Sequence, residues 1–232
     1  MRRFTWIPIS IILLLPVLLP DSGYCQQDAV REKIRQTVQD FDSLRANMNE
    51  IKSFGKFGAD VTRSLFDEVR EDEVKNRIVM LLGVFGEDAR DHTQFLFDLV
   101  LDKLGRQLNR HQFEQMMAAY DSLARVHPEQ EDVYKFLVSS IEYDFWSEDT
   151  LPEIQDTNEP VTRELMRDVL RKKACNALGF VNNPDVITLL ENQAKQEKVR
   201  GNRHLAYVFG WTANYVKENG SLKMYYLQNA VQ

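Results

Sequence analysis

Apolar residues recur at every third or fourth position along nearly all of the chain after residue 25. This spacing places them on one face of an α-helix, and no convincing alternation of apolar and polar residues, as in a β-strand, competes with it. The sequence therefore predicts an all-α fold of about ten helices, joined by short connections that favour antiparallel neighbours. The one long connection is the acidic loop, residues 146–160, with the sequence WSEDTLPEIQDTNEP.

The composition is that of a chain with a sizeable hydrophobic core. Of the 232 residues, 44% are hydrophobic and 28% are charged, which excludes a disordered chain and a multi-pass membrane protein. The formal net charge is −6 at pH 7. Because this balance provides no basic surface for phosphates, we expect no nucleic-acid partner.

Residues 1–25 have the layout of a secretory signal peptide. Arg2 and Arg3 precede a mainly apolar run that ends in the polar stretch DSGYC, which is the order of segments in such a leader. We therefore expect cleavage after Cys25, export to the periplasm or the medium, and no membrane span in the mature chain.

Two alternatives to a cleaved leader remain. A transmembrane anchor needs about 20 apolar residues, whereas this run is shorter and contains Pro8 and Pro16. A lipoprotein signal would acylate Cys25, but Tyr24 is bulky at the position before it.

Cys175 is the single cysteine after residue 25, so no disulfide can form within the mature chain. It lies among Ala174, Ala177 and Leu178, and we interpret it as a small buried hydrophobe. Packing alone must then hold the fold together.

Four segments of the chain line up on a Phe-Gly or Leu-Gly pair, and we interpret the glycine of each as the end of a helix that is followed by a turn and a second helix. Near the third of these pairs, Asn183 is expected to cap the helix that Pro184 opens. The separations are about 30 residues or a multiple of it, which indicates stacked helical hairpins. The four glycines are Gly55, Gly83, Gly179 and Gly210.

The stretch ACNALGFVNNPDVITLLENQAKQ, followed by LAYVFGW, resembles the HEAT-like repeat of bacteria. The resemblance implies a short α-solenoid over residues 59–232, with the acidic loop inserted, and a capping helix and turn over residues 26–58. Some HEAT-like proteins are lyases or isomerases that handle a bound chromophore. The resemblance therefore also implies an alternative, enzymatic function, which a pocket containing His204, Tyr207 and acidic residues would favour.

The predicted first helix, residues 28–52, has a second interpretation. Ile34, Phe41 and Met48 are seven residues apart, as in a coiled coil that dimerises and makes the protein self-assemble. Val30 and Val38 widen the stripe to the face of a globular helix, so we favour a cap on the chain's own domain. The oligomeric state stays open.

Catalytic and cofactor motifs are missing from the sequence. The histidines form neither an HExxH pattern nor a close pair, and there is no phosphate-binding glycine loop or nucleophile elbow. We therefore expect no enzyme and no cofactor. The histidines are His92, His111, His127 and His204.

The acidic loop offers a hypothetical calcium site, with oxygen ligands from Asp149, Glu153 and Asp156. It lacks the Asp-x-Asp-x-Asp-Gly spacing of a tight calcium-binding turn, so we favour a solvated surface loop and expect no bound metal.

These observations predict an exported binding or scaffolding module that uses a helical-repeat surface to bind a protein or peptide partner. Aromatic side chains are the commonest anchors in such surfaces. The sequence-based candidates are Trp146, Trp211 and Tyr215.

Overall fold

The computed structural model describes residues 22–155, 161–223 and 225. The fold is all-α, as predicted, with helices packed against one another and a 3₁₀ helix at residues 86–92. The helices are α1 Ser22–Thr37, α2 Phe41–Lys52, α3 Gly55–Glu68, α4 Asp72–Phe85, α5 Thr93–Leu101, α6 Arg110–Val126, α7 Glu131–Ser140, α8 Arg163–Leu178, α9 Pro184–Arg200 and α10 Arg203–Asn219.

The predicted leader lies mainly outside the described residues, and the predicted cleavage point after Cys25 falls within the first helix, α1. Residues 224 and 226–232 also lie outside the described part of the chain. Within the described part of the chain, none of the helices combines the length and apolar character needed to cross a bilayer.

The predicted single helix over residues 28–52 is two helices, because Asp40 begins a new one. Its carboxylate accepts a hydrogen bond from the Ser43 amide at 2.7 Å, which is the geometry of an N-cap. Ile34 and Ile51 are buried in the chain's own core, where α1 packs on α3 and α2 on α4. The break interrupts the single helix that the coiled-coil interpretation assumes. Of its heptad stripe, Ile34 is buried, whereas Phe41 is 58% and Met48 36% exposed, so self-assembly through this segment stays a prediction.

Local capping chemistry fixes the starts of three later helices. Asn109 and Gln112 form a reciprocal capping box at α6, and the Thr162 hydroxyl accepts from the Leu165 amide at α8. Asn183 accepts from the Asp185 amide at 3.0 Å, and Pro184 is the first residue of α9, as predicted.

The recurring glycines do not share one role. Gly179 is the C-cap of α8, as predicted, but Gly55 is the first residue of α3 and not the last of α2. The prediction was wrong for Gly83 and Gly210, which lie inside α4 and α10.

A different physical reason explains the glycine in α4. A Cβ at Gly83 would lie 2.6 Å from the Ser122 Oγ and 3.0 Å from the Ser122 Cα. The absence of a side chain therefore allows α4 and α6 to pack closely, and α4 ends two residues later at Phe85.

The acidic loop contains a short strand that the sequence did not reveal. Strand β1, Gln107–Leu108, pairs in parallel with β2, Glu153–Ile154. Two-residue strands are too short for an alternating pattern to be recognised. The pairing fixes the middle of the loop against the segment between α5 and α6.

Helices pack mainly on near neighbours in the chain: α3 on α4, α4 on α6, α6 on α8, and α9 on α10. One cluster of buried apolar side chains extends from Ile34 to Ala213. This arrangement is compatible with a helical repeat.

Candidate functional site

Aromatic side chains line one side of the last described helix, α10. Tyr207, Trp211 and Tyr215 are four residues apart on α10 and therefore lie on one side of it. The Trp211 and Tyr215 rings stack with centroids 5.4 Å apart, and Tyr225 meets both edge-on, at 5.2 and 5.6 Å. We call these four residues the α10 aromatic surface.

This surface is accessible to solvent. Tyr207 is 68% exposed and Tyr225 is 37% exposed, whereas Trp211 and Tyr215 are half-buried. The stacked Trp211 and Tyr215 side chains therefore have restricted freedom, whereas Tyr207 extends into solvent near the start of α10.

The opposite side of α10 anchors it in the core. Apolar residues on that side are buried against α8 and α9, and Gly210 lies opposite Ala194 of α9. The buried residues of α10 are Leu205, Ala206, Phe209, Thr212, Ala213 and Val216.

The start of α10 is fixed by a tight turn after α9. Gly201 has φ of +83°, a left-handed conformation that glycine adopts without strain. Asn202 caps α10 by accepting from the Leu205 amide at 3.1 Å, and its amide donates to Asp168 of α8 at 2.6 Å. The side chain of Asn202 thus ties the helix start to α8.

A buried ion pair lies between α8 and α9, beneath α10. Arg171 and Glu197 are both almost completely inaccessible to solvent, and Arg171 Nη2 donates to the Glu197 carboxylate at 2.7 Å. Arg171 Nε also donates to the Ile141 carbonyl at 2.8 Å, and Arg200 donates to Glu197 at 2.7 Å. These contacts join the end of α7 to α8 and α9.

Burial by itself raises the pKa of Glu197, because it penalises the charged form. Hydrogen bonds from Arg171 and Arg200 outweigh that effect and hold the pKa below its usual value of 4.5. The carboxylate is therefore ionised at neutral pH.

Three arginines surround the Tyr143 ring. The guanidinium carbons of Arg167, Arg200 and Arg171 lie 4.0, 4.7 and 5.8 Å from its centroid. The buried Arg171 Nη1 has no hydrogen-bond partner among the described residues, and the attraction between a cation and a ring offsets part of that deficit. This cluster is a structural support for α8 and α9.

Trp146 does not belong to an exposed surface. Its side chain is fully buried, and its indole nitrogen donates to the Ser140 carbonyl at 2.7 Å. The sequence-based choice of Trp146 as a surface anchor was therefore wrong. Its ring belongs to the hydrophobic core, next to the end of α7.

Two carboxylates in the described part of the acidic loop pair with one arginine. Arg163 donates to Glu148 at 2.8 Å and to Glu153 at 2.9 Å. Asp149 is exposed, and Asp156 lies outside the described residues. Across residues 22–155 and 161–223, no group of three or more His, Cys, Asp or Glu residues is placed to hold a metal ion.

His204 and Tyr207, the residues named for the enzymatic alternative, are both exposed on the first two turns of α10. Cys175 is buried, as predicted, and burial raises the pKa of its thiol to about 12. The thiol is therefore protonated and shielded at neutral pH.

No family model matches this chain, and no curated protein or solved structure is significantly similar to it.

Sequence reasoning identified two members of the α10 aromatic surface and missed two. The four-residue spacing of Tyr207 from Trp211 was a signal for the first. Tyr225 comes from the segment after α10, and its position beside Trp211 depends on tertiary structure.

Proposed function

We propose that this chain is a binding module that uses the α10 aromatic surface to hold a protein or peptide partner. The observation that carries the proposal is the cluster of three aromatic rings in mutual contact, Trp211, Tyr215 and Tyr225, beside the exposed Tyr207 on the same side of α10. Tyrosine and tryptophan are the residues that most often dominate binding energies at protein interfaces.

The arrangement suits binding because the surface is largely preorganised. The stacked Trp211 and Tyr215 rings have little rotamer freedom left to lose, so a partner gains contact area at low entropic cost. The buried side of α10 and the buried pair Arg171–Glu197 support the helix from below.

We further propose that the fold is a HEAT-like array and that the chain is exported after loss of residues 1–25. The α8–α9 pair, with Gly179 after α8 and Pro184 opening α9, has the features that carry the resemblance. The signal-like order of residues 1–25 supports export.

A capture experiment tests the binding role. The full chain and the double variant Tyr207→Ala/Tyr215→Ala are immobilised and exposed to an envelope extract of the producing organism. We expect a protein that the wild type retains and that the variant binds about thirtyfold more weakly, because truncating a dominant aromatic anchor costs about 2 kcal/mol.

The variant Phe57→Ala is the matched control. Phe57 is 40% exposed, close to the exposure of Tyr225, but lies on α3. It should retain the partner like the wild type. Equal capture by all three folded proteins, or capture of nothing by the wild type, would contradict the proposal.

A further inference from the structure

A polar cavity of about 330 Å³ lies between the first turns of α2, α4 and α6. None of its lining residues belongs to the α10 aromatic surface. Its volume is at the small end of the range of ligand pockets, about 300–1,000 Å³, so the size suits a molecule as small as an amino acid. We call it the α2–α4–α6 pocket.

One cationic group of the pocket is fixed in place. Arg77 is 9% exposed, and its Nε and Nη2 donate to the carbonyls of Val38 and Gln39 at 2.6 and 2.7 Å. Its Nη1 lies 4.0 Å from the Glu73 carboxylate, which is too far for a hydrogen bond. Two backbone carbonyls thus fix the guanidinium in place, and its Nη1 can still donate a hydrogen bond to a ligand.

An unpaired acceptor lies beside it. Asn76 is 8% exposed, and its amide nitrogen donates to the His111 carbonyl at 3.1 Å. Its side-chain oxygen is buried and accepts no hydrogen bond from the described residues. Since buried polar atoms are nearly always paired, this oxygen favours a ligand that brings a donor.

The side of the pocket that α6 forms carries one positively and one negatively charged side chain. Arg110 donates through Nε to the Glu114 carboxylate at 2.8 Å, and both side chains are substantially exposed. On the α2 side, Phe41 is 58% exposed and supplies an apolar surface.

We propose that the α2–α4–α6 pocket binds a free α-amino acid with an apolar side chain. Arg77 and Arg110 attract its carboxylate, Glu73 and Glu114 attract its ammonium group, and Phe41 packs on its side chain. A simple anion is disfavoured by the two glutamates, and a simple cation by the two arginines. A zwitterion carries both a carboxylate for the two arginines and an ammonium group for the two glutamates.

Calorimetry on the full chain tests this with L-phenylalanine and two analogues that each lack one charge, N-acetyl-L-phenylalanine and L-phenylalaninamide. We expect L-phenylalanine to bind at least about tenfold more tightly than either analogue, a ratio that corresponds to about 1.4 kcal/mol. Equal affinity for all three, or no heat of binding with the folded protein, would overturn the proposal.

Two exposed variants locate the binding. Phe41→Ser and Arg110→Gln should each weaken L-phenylalanine binding by about tenfold, whereas Phe57→Ser, on α3, should leave it unchanged. Binding that none of these variants alters would place the amino acid elsewhere and refute the assignment. The α10 aromatic surface is intact in all of them, so this outcome is independent of the proposed partner-binding role.

Discussion

Glu197→Gln lowers the free energy of unfolding by about 3 kcal/mol in chemical denaturation at pH 7. The substitution leaves the fully buried Arg171 without its carboxylate partner, and breaking one side of a buried ion pair typically costs about 3–5 kcal/mol. The glutamine oxygen can still accept a hydrogen bond, so the expected loss is at the lower end of that range.

The control is Glu191→Gln, on the same helix and partly exposed. It should change the free energy of unfolding by no more than about 0.5 kcal/mol. The double variant Arg171→Met/Glu197→Leu should be more stable than Glu197→Gln, because no buried charge is then left alone. A loss in Glu197→Gln no larger than that of the control would contradict the importance of this ion pair.

The same carboxylate gives stability a defined pH dependence. Because the pKa of Glu197 is below 4.5 in the folded protein, the unfolded chain takes up its proton first as the pH falls. The stabilisation is therefore complete above the unfolded pKa and is lost as the pH drops through the folded pKa. Glu197→Gln should lose less stability than the wild type below pH 4.5.

Gly83→Ala destabilises the protein by about 1–2 kcal/mol, although alanine is the better helix former. The new Cβ would be 3.0 Å from the Ser122 Cα and would displace the Ser122 hydroxyl, which donates to the Val79 carbonyl at 2.7 Å. Overpacking of this kind costs about 1–3 kcal/mol, and displacing the Ser122 hydrogen bond adds about 0.5–1 kcal/mol. Together these costs exceed the gain of about 1 kcal/mol from helix propensity.

Gly210→Ala is the matched substitution and has the opposite expected sign. A Cβ there would meet Ala194 at 3.9 Å, an ordinary contact, so only the propensity gain of about 0.5–1 kcal/mol remains. Thermal and denaturant unfolding of the two variants measure the difference. Equal effects of the two substitutions would show that Gly83 is not a close-packing position.

The structural roles of Gly83 and Gly210 could not be predicted from the sequence. Both follow an aromatic or apolar residue near the centre of an apolar stripe, and both were interpreted as helix ends. The residues that close those helices are Gly86 and Gly220, which have φ of +59° and +79°. Local sequence does not distinguish a glycine needed for backbone conformation from one needed for close packing.

Features determined by neighbouring residues were predictable from the sequence. The capping residue Asn183 acts within two positions of itself, and α9 begins where the sequence placed it. The all-α fold follows from apolar spacing alone.

Features that depend on distant contacts were not predictable. Trp146 follows a helix and begins a polar stretch, so its burial depends on the packing of α7 and α8 around it. Arg171 and Glu197 lie on the two helices of the α8–α9 pair, 26 residues apart in the sequence. The spacing of apolar residues contains no signal for a buried charge pair.

Site-specific photocrosslinking tests the central claim, that the α10 aromatic surface holds a partner, most directly. Tyr207→p-benzoylphenylalanine and Phe57→p-benzoylphenylalanine are introduced separately into the full chain and irradiated in the envelope extract. The account predicts a cross-linked partner from position 207 and none from position 57. Cross-links of equal yield from both positions, or from position 57 alone, would contradict it.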